Sequence, residues 1–70
     1  MKKVKAMKNR YSVIITRGDG TPERINFSTL TNALIYYNNV LLQNRDGERH
    51  DAAATVIETV TGVEIKSKTF

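Results

Sequence analysis

Thr55-Val56-Ile57-Glu58-Thr59-Val60-Thr61 carries six β-branched residues in seven, and its reading decides the fold. Branching at Cβ restricts χ1 and suits a side chain to a pleated surface, so the preferred reading is a strand. Val60-Thr61-Gly62 then fits a type I turn with glycine in the left-handed position, returning into Val63-Glu64-Ile65-Lys66-Ser67-Lys68. That register places Ile57 against Ile65 on the inner face and Glu58 opposite Glu64, a like-charge pair that is mildly unfavourable. The rival reading is a helix, with Asp51 as cap, Ala53, Val56, Ile57 and Val60 as its apolar stripe, and Gly62 as its C-terminal stop.

Upstream the pattern is plainer. Tyr11-Ser12-Val13-Ile14-Ile15-Thr16-Arg17 puts Tyr11, Val13 and Ile15 on one face and Ser12 and Thr16 on the other, which is a strand. Gly18-Asp19-Gly20-Thr21-Pro22 is turn chemistry, and Arg24-Ile25-Asn26-Phe27-Ser28 alternates again, completing a β-hairpin. Ser28 or Thr29 can cap the helix that follows, since either hydroxyl accepts a free N–H of the first turn. Leu30, Ala33, Leu34, Tyr37, Val40 and Leu41 recur at helical spacing and predict a helix to about Asn44, ended by the polar run from Arg45 to Arg49. The chain is therefore expected to be an α+β domain with one small antiparallel sheet and a principal helix on one face. The order is ββαββ, or ββααβ if residues 51–62 are helical.

Seventy residues make a single domain, read as a basic flexible arm over 1–10 and a folded unit over 11–70. A core this small supplies only about 3–5 kcal/mol, and the absence of cysteine removes disulfides and thiolate metal sites as staples. No apolar h-region follows the basic start, and no run approaches the ~18 apolar residues of a membrane span. These features predict a cytoplasmic chain with no membrane association.

The net charge of +4 is unevenly placed. Lys2, Lys3, Lys5, Lys8 and Arg10 fall in the first ten residues without an acid, whereas the other sixty carry six positive groups and seven acids. The arm is thus the candidate nucleic-acid element, neutralising phosphates without base specificity. The body lacks the exposed aromatic platform that single-strand binding uses, because Tyr11 and Phe27 belong to the core.

Chemistry-bearing motifs are sparse. Asp46-Gly47-Glu48-Arg49-His50-Asp51 alternates acids with the one histidine, but Arg45 and Arg49 would repel a cation, so it reads as a solvated loop. Arg17-Gly18-Asp19 and Asn26-Phe27-Ser28 spell an adhesion tripeptide and a glycosylation acceptor, yet both belong to exported proteins and here read as hairpin chemistry. No phosphate-loop, nucleophile or metal signature is present, and neither catalysis nor a cofactor is expected.

The helix carries the clearest binding signal. At ~100° per residue, Ile35 and Leu42 fall roughly 120–140° from Leu30, seven residues apart on a flank away from the main stripe. One helix on one small sheet buries a single stripe, so this pair is expected either to contact a partner or a second copy of the chain, or to join the core if the sheet curls or a second helix packs close enough to cover it. Asn38 borders the pair, and Tyr36 completes the set of candidate partner-binding residues.

Very short, cysteine-free, lysine-led and without a catalytic constellation, the chain resembles the small accessory proteins encoded by bacteriophages. That resemblance implies a layout of hairpin, helix and further strands, and a role in capping a host enzyme or defence complex. It transfers no residue role. The expected function is a non-enzymatic protein that binds and inhibits a protein partner, with nucleic-acid binding through the arm as the alternative.

Overall fold

The computed structural model describes residues 9–70, so Lys2, Lys3, Lys5 and Lys8 of the expected arm lie outside the described residues. Strands β1 (Tyr11–Arg17) and β2 (Pro22–Phe27) precede helix α1 (Leu30–Arg45), and β3 (Asp51–Glu58) and β4 (Glu64–Thr69) follow it. The strands form one antiparallel sheet in the order β2-β1-β3-β4. The architecture is the expected ββαββ, and the helical reading of residues 51–62 is overturned.

Local chemistry closes the first hairpin. Gly20 N–H donates to the Arg17 carbonyl and Arg17 N–H to that of Thr21, both at 2.8 Å, with Gly20 at φ +91°. The Asp19 carboxylate accepts from Thr21 N–H at 2.9 Å, which holds its pKa below the usual carboxylate value. Pro22 opens β2 two residues before the expected start at Arg24, which a sheet edge tolerates because no ladder partner is lost.

Thr29, one of the two expected caps, accepts from Asn32 N–H at 3.2 Å. The expected stripe faces the sheet: Ala33, Tyr37 and Val40 are buried, while Leu30, Leu34 and Leu41 pack against them at the margin. Beneath lie Val13 and Ile15 of β1 and Ala54 and Val56 of β3, all fully buried. Val13 pairs with Val56 and Ile15 with Ala54, so two central strands bring four apolar side chains to one face.

The second hairpin departs from its expected register at the turn end. β3 begins at Asp51 rather than Thr55, because Ala53 and Ala54 pair with Thr16 and Ile15 along the free edge of β1. Alanine is a poor strand former in isolation, and that edge supplies the hydrogen-bond partners that make it one here. Thr59-Val60-Thr61 turns instead of extending the strand. Gly62 takes the expected left-handed conformation at φ +75°, and its N–H donates to the Glu58 carbonyl at 2.7 Å. Ile57 pairs with Glu64, not with Ile65, since a β-bulge leaves Ile65 as the extra residue between Glu64 and Lys66. Glu58 in turn meets Val63, donating its N–H to that carbonyl at 2.9 Å, and the unfavourable Glu58–Glu64 opposition does not arise.

The face of the sheet away from α1 carries no helix among the described residues. Ser12 is nevertheless fully buried there, donating to the Asn26 side chain at 2.7 Å with the Thr59 hydroxyl 3.3 Å away. Among the described residues no helix is long and apolar enough to cross a membrane.

Candidate functional site

Helix α1 lies across β1, β2 and β3 and stays clear of β4. All six residues of β4 are consequently exposed. Lys66 and Lys68 pair with the buried Val56 and Ala54, which turns their side chains toward the helix side of the sheet. With Phe70, whose N–H donates to the Ala52 carbonyl at 2.9 Å, they extend along the floor beside the helix.

Between this floor and the C-terminal half of α1 lies an open groove of about 660 Å³. Leu41, Leu42 and Phe70 form its apolar part, while Arg45, His50 and Lys68 supply polar and cationic groups. The Leu42 side of the groove is the flank read from the sequence: Ile35 is 54% exposed, Leu42 46%, and Asn38 is also exposed. Tyr36 is placed differently. It is half-buried and packs its ring against Phe27, centroids 5.5 Å apart, at the β2 side of the core. Leu42 and Ile35 thus share the exposed flank, and Tyr36 does not join them.

The inner end of the groove is held by a polar clamp. The Asp51 carboxylate accepts from Arg49 Nε at 2.7 Å and from Asn44 Nδ2 at 2.8 Å, and Asp51 N–H donates to Asn44 Oδ1 at 2.8 Å. Asn44 also donates to the Val40 carbonyl at 2.8 Å, tying the last turn of α1 to the first residue of β3. Arg49 reaches Glu23 at 3.4 Å, and Arg17 reaches the same carboxylate at 3.3 Å. Burial pushes the Asp51 pKa up, but hydrogen bonds from Arg49 and Asn44 and the charges of Arg49 and Arg17 outweigh it, and the net shift is downward.

The clamp takes one end of the acidic run around His50 out of the expected solvated loop, since Asp51 opens β3. Asp51 is committed to Arg49 and Asn44, Asp46 sits 3.4 Å from Arg45, and His50 is exposed. Among the described residues no three histidine or carboxylate side chains converge as metal ligands. Gly18 of the adhesion-like tripeptide has a structural duty, since a Cβ there would stand 2.7 Å from the His50 carbonyl oxygen.

Tyr37, buried under the helix, has its phenol pKa raised by burial first and by the charge of Glu64 second. Arg10, the one member of the proposed basic arm within the described residues, is tied to the sheet. Its carbonyl accepts from Thr59 N–H at 2.7 Å and its guanidinium lies 5.7 Å from the centre of the Tyr11 ring.

Sequence reasoning found the helix side of the groove and missed its β4 side. The signal available there was the period-two spacing of Lys66, Lys68 and Phe70, which places two cations and an aromatic on one face of a strand. Comparison with family models, curated proteins and solved structures finds no match for the chain.

Proposed function

We propose that the chain is a non-enzymatic binding module that modulates a protein partner, inhibiting it by covering a surface the partner needs. The observation that carries this reading is the coincidence of two bare elements. Leu42, at the C-terminal end of the exposed Ile35–Leu42 flank of α1, lines one groove with Lys68 of β4, a strand that the helix leaves uncovered. Apolar side chains of this size grouped on one flank form the kind of patch that protein contacts use.

Affinity capture from host lysate with the full chain, with and without nuclease, tests the reading. A protein retained after nuclease by the native chain and lost from Ile35→Gln/Leu42→Gln is the expected result. Retention unchanged by the double substitution overturns it. Capture abolished by nuclease and by replacing Lys2, Lys3, Lys5 and Lys8 with glutamine would instead favour the arm as a nucleic-acid element.

A further inference from the structure

We infer that the groove between α1 and β4 receives an acidic, amphipathic segment of the partner protein, an inference that rests on the protein-binding reading above. Its apolar part would seat on Leu41, Leu42 and Phe70, and its carboxylates would meet Arg45 and Lys68, with His50 at the same rim. Charge complementarity selects this occupant. Among the described residues Asp51 is the one acid lining the groove, and its side chain is only 5% exposed and neutralised by Arg49. Arg45 has Asp46 beside it, but that pair is exposed on both sides and holds the guanidinium weakly. Lys66 lies on the same face of β4 as Lys68 and extends the cationic edge along the strand.

The same distribution disfavours two other occupants. A second copy docking groove to groove would set this cationic patch against the same patch, and like-signed patches facing one another in an interface are costly. A nucleic-acid strand would satisfy the cations but leave Leu41 and Leu42 unmatched, since base stacking calls for a platform of several rings and the described lining offers only Phe70 and the His50 imidazole. An apolar anchor flanked by carboxylates satisfies both parts together, and a short helix presents them on one face at i, i+3 and i+4 spacing.

Fluorescence anisotropy with the full chain decides between them. The probes are a labelled amphipathic peptide of leucine and glutamate, the same peptide with lysine for every glutamate, an all-glutamate peptide, and a single-stranded oligonucleotide. The leucine–glutamate peptide should bind at least about tenfold more tightly than the other three. Leu42→Gln should weaken it by about tenfold or more, and Arg45→Glu/Lys68→Glu should shift the preference toward the lysine peptide. All three positions are exposed, so circular dichroism should show each variant folded. Equal affinity for the glutamate and lysine peptides, binding indifferent to Leu42→Gln, or tighter binding of the oligonucleotide would overturn the inference. If no peptide binds while Ile35→Gln/Leu42→Gln still loses its lysate partner, this inference fails and the protein-binding reading stands. If the lysate partner is also retained, both fall.

Discussion

The two hairpins are built alike and end in opposite circumstances. Each pairs antiparallel strands around a turn with glycine at positive φ, Gly20 in the first and Gly62 in the second. Both strands of the first contact α1, and even its edge strand β2 turns Ile25 and Phe27 into the core margin. The second contributes β3 to the centre of the sheet but leaves β4 exposed at every residue. The composition of the outer strands reflects this. Isoleucine and phenylalanine alternate in β2, whereas Glu64-Ile65-Lys66-Ser67-Lys68-Thr69 is charged and polar, with a bulge at Ile65. Charge and a bulge on an edge strand are devices that discourage uncontrolled strand pairing. A bare strand so equipped is suited to a specific contact instead of general aggregation.

The largest expected contrast lies between the centre of the sheet and that edge. Ile15→Ala removes a fully buried side chain shared by β1, β3 and the helix, and should cost about 2–5 kcal/mol, enough to unfold a domain this small. Ile65→Ala in the bulge should cost less than about 1 kcal/mol, because the side chain is already 38% exposed. Urea titrations of the two variants compare them directly. Equal destabilisation would mean that β4 is as integral as β1.

A smaller effect is expected where α1 is tied to the start of β3. Asp51→Asn should cost about 1.5–3 kcal/mol near neutral pH, the worth of hydrogen bonds to a charged group. The sign of its pH dependence follows from the downward shift. The folded-state pKa lies below 3.8, so the stabilisation is fully present well above that value and is lost as pH falls through the lowered one. Thermal melts should therefore show the native chain converging on Asp51→Asn as the pH is taken down through this range. A gap that stays constant on acidification would place the contribution of Asp51 elsewhere than in its charge.

Gly18→Ala probes the neighbouring end of the sheet. Its Cβ would press on the His50 backbone at 2.7 Å, forcing β1 and the entry to β3 apart at a cost of about 1–3 kcal/mol. Retained stability in a melt would show that this end of the sheet yields easily. The smallest effect on folding belongs to Ile35→Gln/Leu42→Gln, within about 0.5 kcal/mol per site, since both side chains are exposed. The same variant carries the largest expected loss of binding. A cooperative unfolding curve close to that of the native chain, paired with lost partner retention, is the combination to look for.

The groove was half legible in advance. Helical geometry sets Ile35 and Leu42 roughly 120–140° from Leu30, off the stripe that faces the sheet, and the structure leaves both exposed. The same geometry puts Tyr36 beside Val40, roughly 100–120° from Ile35 and Leu42, so it does not belong to their flank. Its ring meets Phe27 at the edge of β2, a contact between residues nine apart that no helical wheel contains. Arg49 and Asp51 read as members of a polar loop, and only the approach of Asn44 and Glu23 turns them into a clamp.

Sequence by itself determined the elements whose signals are local. These are the alternation of β1, the glycine turns, a helix cap at Ser28 or Thr29 with the apolar stripe behind it, and the branched run that leans toward strand. Each depends on backbone preference or on residues within a few positions of one another. Tertiary structure alone decided which strand is central, how far β3 extends, where the register slips and what remains uncovered. Ala53 and Ala54 become strand because β1 offers an open edge, and Ile57 meets Glu64 because the bulge at Ile65 absorbs a residue. β4 stays bare because a sixteen-residue helix spans three strands and not the fourth. Those outcomes depend on hydrogen-bond partners and packing surfaces distant in the chain, and the free energy that selects them exists only once the sheet has assembled.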